Sequence, residues 1–376
     1  MMRYIISFNQ AFSNYDVLDL PVNQYSFKFI FKKIVSGNLV KFEFANEFDL
    51  VPLNILSAKV NIHDEEESAI PITFNQKSTF SVPTQSNLWS DEVEIKNRTD
   101  EFLYVYLQME NSTNQLKSAA NMFQDSRIVI DYTPDYSHKF LPQDVQLLVG
   151  IKSIANVTED EYTSISFFGD SLTNHAYFSN PFIDYLNDSG FKTIGLNAGI
   201  SGNKLLSSGE GSISKWKFGF GRSGIHRFEK DVMLNQPNVI IALIGLNDLF
   251  HPGTNESIER LPTATLLIDG IQQLMQIAKV RNSRYIPITL PPFHGALNHE
   301  IEAWTEAKET IRQEVNLWIR KQDDLIDLDK FVANPGQPEK LNASFDGGDH
   351  IHFSREAGKI IGEFMAQQFL ELKNIN

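Results

Sequence analysis

The chain has 376 residues, a formal net charge of −14 and no cysteine. Disulfides and thiolate metal sites are therefore excluded, and a general nucleic-acid binder, which needs a basic patch or stripe, is not expected. Its 42% hydrophobic and 21% charged content is that of an ordinary globular protein, long enough for two domains with a core each.

The N-terminal stretch Met1–Leu20 has one early charge and only a short apolar run. It lacks the long apolar segment and small-residue cleavage site of a signal peptide, which predicts a cytoplasmic protein. The most apolar run of the chain, Val239–Gly245, is far shorter than the ~20 residues that cross a bilayer, so no membrane span is expected.

The first part, residues 1–159, reads as short strands. Phe27, Phe29 and Phe31 fall on one face of a strand with Lys28 and Lys32 on the other, and Val40, Phe42 and Phe44 repeat the pattern. The run Phe102–Met109 is apolar on both faces, as in a central sandwich strand. Turn-rich pieces at 35–38, 63–68 and 97–100 separate the runs. The stretch 112–123 reads as a short helix or a loop. Many short strands without a helical period predict an antiparallel β-sandwich, jelly-roll-like domain over 1–159.

From residue 160 to 376 the pattern becomes strand–helix alternation. The predicted strands are 164–169, 192–199, 238–245, 284–290 and 325–329. Predicted helices between them place Leu267, Ile271, Leu274 and Ala278 on one face, and Ile311, Val315, Trp318 and Ile319 on another. A C-terminal helix starts on Ser354 as N-cap. Such alternation predicts a parallel sheet covered by helices on both faces, with ligands bound beyond the carboxyl ends of the strands.

The first of these strands ends in Gly169-Asp170-Ser171-Leu172. Ser171 is either a helix cap or a nucleophile, and a nucleophilic serine needs a base, a group that orients the base, and donors for the oxyanion. Asp349 and His352, three residues apart in a loop before the last helix, offer the orienter and the base. His350 is the competing base, or a substrate contact. His350-x-His352 beside carboxylates also suits a divalent ion, but no third, distant cluster accompanies it, and neither metal nor cofactor is expected. Gly202 after the second strand allows close approach of a backbone N–H, or is a turn glycine. Asn247 after the third strand offers a fixed amide dipole, or a turn residue. Asp170 and Asp248 read as acceptors of backbone N–H groups. All of these pieces fall at or after predicted strand ends.

Gly169-Asp170-Ser171-Leu172, Gly202, Gly245-x-Asn247-Asp248 and Asp349-x-x-His352 resemble, in order, the four sequence blocks of the GDSL or SGNH hydrolases. The segments Arg227–Met233, Val315–Arg320, Leu325–Pro335 and Asp346–His352 are similar to those of a two-domain bacterial esterase subgroup with an N-terminal β-domain. The resemblance implies a three-layer α/β/α, flavodoxin-like fold and a serine esterase without a metal. Carried over by residue, it makes Ser171 the nucleophile, His352 the base and Asp349 its orienter, with the oxyanion held by the Ser171 and Gly202 N–H groups and the Asn247 amide. Phe353 stands where many relatives have proline, and the segment from Ser171 to the helix near Pro181 is short for the family.

The expected substrate is a small-molecule ester with a short acyl group, acetyl foremost, on a carbohydrate or small alcohol. Trp216, Phe218 and Phe220 offer stacking platforms for a sugar, or simply pack their loop. Lys217, Arg222 and Arg227 make that segment positive, which fits a lysophospholipase-like activity on an anionic ester. An acyltransferase using the same residues, and a carbohydrate-binding protein with a decayed hydrolase domain, are the other classes. The β-domain would bind sugar, shield the cleft or contact another copy in a homo-oligomer.

Overall fold

The computed structural model describes residues 3–18, 21–32, 35, 37–95, 102–123, 127–133 and 145–373. The expected turn at 97–100, and Ser36 of the turn at 35–38, lie outside them. The chain divides into two compact units, Met1–Tyr162 and Thr163–Asn376.

The first unit is antiparallel and β-rich. One sheet runs in the order Arg3–Asn9, Ile151–Thr158, Leu39–Asn46 and Ser86–Trp89, with Val93–Glu94 beside Leu39–Asn46. A second runs Ile128–Thr133, Ser26–Lys32, Phe102–Glu110, Leu53–Asn61 and Ile70–Pro71, with Phe80–Val82 beside Leu53–Asn61. The two pack face to face through aromatic pairs, Phe8 on Phe31 at 4.9 Å and Phe44 on Phe80 at 5.1 Å between ring centres. Inward Phe27, Phe29 and Phe31 alternate with half-buried neighbours, as their spacing requires.

Two expectations are corrected here. The strand Phe102–Glu110 is central in its sheet yet buried on one face only: Tyr104 and Tyr106 are half-buried, and the Tyr106 hydroxyl donates to Asp64 at 2.9 Å. The stretch 112–123 is no helix, and Ser118–Phe123 is a strand pairing Val145–Val149 and Ser13–Asn14. Its polar start is satisfied from far away, since the Asp49 carboxylate accepts from the Lys117 and Ser118 backbone N–H groups and, at 2.6 Å, from the Ser118 hydroxyl.

The second unit holds a four-stranded parallel sheet in the order Thr193–Gly199, Thr163–Gly169, Val239–Leu243, Arg284–Pro287. Numbered along the chain this is 2-1-3-4, the flavodoxin-like order, with its switch point between the first and third strands. Val239–Leu243 is buried throughout, as a strand covered on both faces must be. The long helices Ala264–Val280, Glu306–Ile319 and Arg355–Lys373 carry most of the helical cover. The last opens on Ser354, whose hydroxyl accepts from the Ala357 N–H at 3.1 Å.

The fourth predicted strand stops at Pro287, and the fifth shrinks to a single bridge between Ile288 and Ile326 before the chain turns into the helix Leu328–Val332. In Glu306–Ile319 the inward face also differs from the expected one. Val315 and Ile319 are buried, but Arg312 and Asn316 are buried with them, while Ile311 and Trp318 are not. Arg312, 0% exposed, reaches Asp329 at 2.5 Å and Glu309 at 2.6 Å, and with Asn316 it hydrogen-bonds the backbone at Leu290. The irregular chain after the fourth strand leaves those backbone groups unpaired, and buried polar side chains take them up.

Candidate active site

Three neighbouring strand ends set the site. Gly199, Gly169 and Leu243 are partners in register, so the loops that follow leave the sheet side by side, across the switch point. Ser171 comes two residues after the middle end and opens the four-residue helix Ser171–Asn174. That helix lies directly on the sheet: a Cβ on Gly169 would come within 2.2 Å of the Thr173 hydroxyl, so the turn needs glycine. Ser171 is not the cap. Asp170 is, and its carboxylate accepts from the Leu172 N–H at 3.1 Å. Burial pushes the Asp170 carboxyl up to about 7 against that hydrogen bond.

Ser171 Oγ lies 2.7 Å from His352 Nε2, and His352 Nδ1 lies 2.6 Å from Asp349 Oδ2. The other Asp349 oxygen accepts from the backbone N–H groups of His352 and Ile351 at 2.8 and 3.1 Å. Burial alone would raise the Asp349 carboxyl, but the bond to His352, its charge and the two backbone donors hold it well below the usual carboxylate range. His350 does not compete for Ser171. Its backbone is left-handed, with φ of +66°, and its ring turns to Asp346 at 2.6 Å. The loop thus carries two interleaved Asp–His pairs, Asp346–His350 and Asp349–His352, and it is the second that reaches the serine.

The loop after the second strand brings Gly202 into a left-handed turn, φ +74°, with the Phe220 ring where a side chain would be. Among the described residues neither the Ser171 N–H nor the Gly202 N–H donates to a protein acceptor. Asn247, in the turn of helix after the third strand, donates from Nδ2 to the Asn203 carbonyl at 3.2 Å, which sets its amide beside the Gly202–Asn203 loop. Asp248 accepts from the Leu205 and Leu206 N–H groups at 2.6 and 3.0 Å, holding the same loop, and burial pushes its carboxyl up to about 6. His251 Nε2 meets the Gly202 carbonyl at 3.2 Å.

Arg227, counted above with Lys217 and Arg222 as positive charge suited to an anionic ester, is placed elsewhere. It is buried, donating to the Gly169 carbonyl at 2.7 Å, the Ala198 carbonyl at 2.8 Å and Asn203 Oδ1 at 2.8 Å, with Asp231 at 3.3 Å. One guanidinium therefore ties two strand ends to the loop that contacts Asn247. Arg227→Met should destabilise the protein by about 3–5 kcal/mol, because it breaks the buried ion pair with Asp231 and removes the guanidinium from three buried acceptors; urea unfolding checks this. Trp216 and Phe218 lie half-buried on the neighbouring loop, each with a lysine over its ring, Lys215 at 5.4 Å and Lys217 at 5.1 Å.

Residues 165–365, more than half of the chain, match the family GDSL-like Lipase/Acylhydrolase. The chain belongs to this family. As a GDSL-family acylhydrolase it is an ester-bond hydrolase, and the matched span lies within the α/β unit. Similar solved structures include a GDSL-like lipase from Bacteroides thetaiotaomicron, at 16% identity over 57% of this chain and 89% of that one, TM-score 0.39. The lipase/acylhydrolase from Enterococcus faecalis is 20% identical over 55% of this chain and 95% of that one, TM-score 0.40. An acetyl-xylooligosaccharide esterase from Geobacillus is 18% identical over 56% of this chain and 93% of that one, TM-score 0.40. No curated protein matches the chain. Among the described residues of this GDSL-family chain, no helix is long and apolar enough to cross a membrane.

Proposed function

We propose that the protein is a serine esterase that removes short acyl groups, acetyl foremost, from a carbohydrate or small alcohol, and that Ser171, His352 and Asp349 are its catalytic triad. The observation that carries this is the continuous relay from Ser171 Oγ through His352 to the Asp349 carboxylate, at 2.7 and 2.6 Å. Ser171 attacks the ester carbonyl as His352 takes its proton. The oxyanion is received by the N–H groups of Ser171 and Gly202 and by the Asn247 amide. His352 then protonates the leaving alcohol, and water repeats the cycle on the acyl-enzyme. The free state of the two backbone donors supports the oxyanion assignment.

A short acyl group is supported by the crowding just after the nucleophile, where His175 packs on His352 and Tyr177 on His175, at 4.9 and 5.2 Å between rings. Trp216 and Phe218 are the stacking platforms for a sugar alcohol, and His350 stays a peripheral contact at most. A panel of p-nitrophenyl esters and acetylated sugars tests the reading, with Ser171→Ala as the blank. Acetate should be cleaved fastest and rates should fall as the chain lengthens. A maximum at eight carbons or beyond would sink the short-acyl assignment.

Lys215 and Lys217 over those two rings favour a second reading, an ester with an anionic head such as a lysophospholipid. Including that substrate in the panel separates the two. Water is taken as the acyl acceptor; transfer to an added alcohol would mark an acyltransferase instead. Asn247→Ala should lower kcat by about 10²–10³, the usual cost of one oxyanion donor, with KM little changed.

A further inference from the structure

We propose that His175 is a positioning residue for the esterase reaction, its imidazole packed flat on His352 so that the catalytic ring stays aimed at Ser171 and Asp349. The proposal rests on the Ser171–His352–Asp349 reading. The two rings stack with centres 4.9 Å apart and planes 29° from parallel. His175 closes the helical turn that Ser171 opens, its N–H donating to the Ser171 carbonyl at 2.9 Å. One turn of backbone thus presents the nucleophile and, four residues on, a flat surface for the base. The His175 ring is backed in turn by Tyr177.

His352 needs such a surface. It sits in a loop, its side chain is 29% exposed, and its two hydrogen bonds, to Ser171 and Asp349, both lie at the ring edge. Edge bonds fix direction in the ring plane but leave tilt soft, because the torsion that turns an imidazole has broad minima. A ring against one face restrains that tilt. Burial pushes the His175 imidazole down to about 3, the His352 charge acting in the same direction and Asp349 opposing it. His175 is therefore neutral at neutral pH and puts no second positive charge against a base that must accept a proton. The groups facing His352 are then Ser171, Asp349 and the His175 ring, with buried Asp170 further off.

The test compares His175→Ala, His175→Phe and His175→Leu on p-nitrophenyl acetate, beside Ser171→Ala. His175→Ala should lower kcat by about 10–100-fold, the scale of a misaimed catalytic group, with KM nearly unchanged. His175→Phe, which keeps a flat ring, should restore most of the loss. Should the alanine variant unfold, the Phe and Leu pair carries the test: both fill space, and only Phe offers a flat face. Full activity in His175→Ala or His175→Leu, or equal loss in Phe and Leu, overturns the proposal. With Ser171→Ala inactive, such a result removes His175 alone; an active Ser171→Ala removes the triad reading beneath it.

Discussion

Ser171→Ala is expected to cost about 10⁶ in kcat on p-nitrophenyl acetate, the scale of losing a nucleophile from a serine triad, and to leave folding intact. Both halves follow from the local structure. The Ser171 hydroxyl is engaged with His352 Nε2, whereas capping of the helix falls to Asp170. Removing the hydroxyl therefore takes away the proposed attacking atom without opening the turn. Alanine is also the best helix former, so the thermal transition should hold or rise slightly. The residual rate, about 10³–10⁴ over water in comparable cases, would come from the oxyanion donors and substrate binding. Labelling by a fluorophosphonate probe should vanish in the same variant. An alanine variant that still turned over at the parent rate would put the nucleophile elsewhere, and the distances around Ser171 would then describe an ordinary helix start.

The parts of this site that were legible in the sequence are those built from strand ends. A buried run that stops at Gly-Asp-Ser, or at Gly-x-Asn-Asp, announces a turn at a sheet edge. In a parallel sheet all such turns share one end, so the sequence alone groups Ser171, Gly202 and Asn247. Asp349 and His352 were legible because three residues separate them. The same pattern leaves His350 open; in the structure its ring meets Asp346 at 2.6 Å, while His352 meets Ser171 at 2.7 Å.

Buried polar side chains were the parts that could not be read. Arg227 reads as positive charge for an anionic ester, since its partners Gly169, Ala198 and Asn203 are 24 to 58 positions away. Arg312 and Asn316 break the apolar period of their helix for the same kind of reason, a backbone at Leu290 that no strand pairs. The strand at Ser118 was lost because Asp49 supplies what its polar residues need. Periodicity reports burial only where burial is apolar; a charge that is buried and paired carries no local mark. His175 was missed differently: its neighbour Ser171 drew the reading, and stacking against residue 352 is a purely tertiary event.

Asp349→Asn is the second large effect expected, a fall of about 10⁴ in kcat, by the logic of an orienting carboxylate replaced with an amide. The Asp349 carboxylate only accepts, so it keeps the His352 proton on Nδ1 and leaves Nε2 free to take the Ser171 proton. An asparagine that keeps its oxygen on the two backbone N–H groups of Ile351 and His352 must turn its NH₂ toward Nδ1. That reverses the tautomer: Nε2 then carries the proton and cannot act as base. Asp349→Ala should be less severe, because the site is half-open, at 53% exposure of the Asp349 side chain, and water can accept from Nδ1. Asp346→Asn, which alters the His350 pair and not the contacts of His352 with Ser171 and Asp349, should stay within a few-fold of the parent. The same carboxylate gives a pH signature in stability. Because folding lowers its pKa, its contribution is present above the ordinary aspartate value of about 3.9 and is lost as pH falls below it. The melting-temperature gap between parent and Asp349→Asn should therefore narrow between about pH 5 and pH 3. A gap that stayed constant there, with kcat unaffected at neutral pH, would mean that Asp349 neither charges nor orients His352.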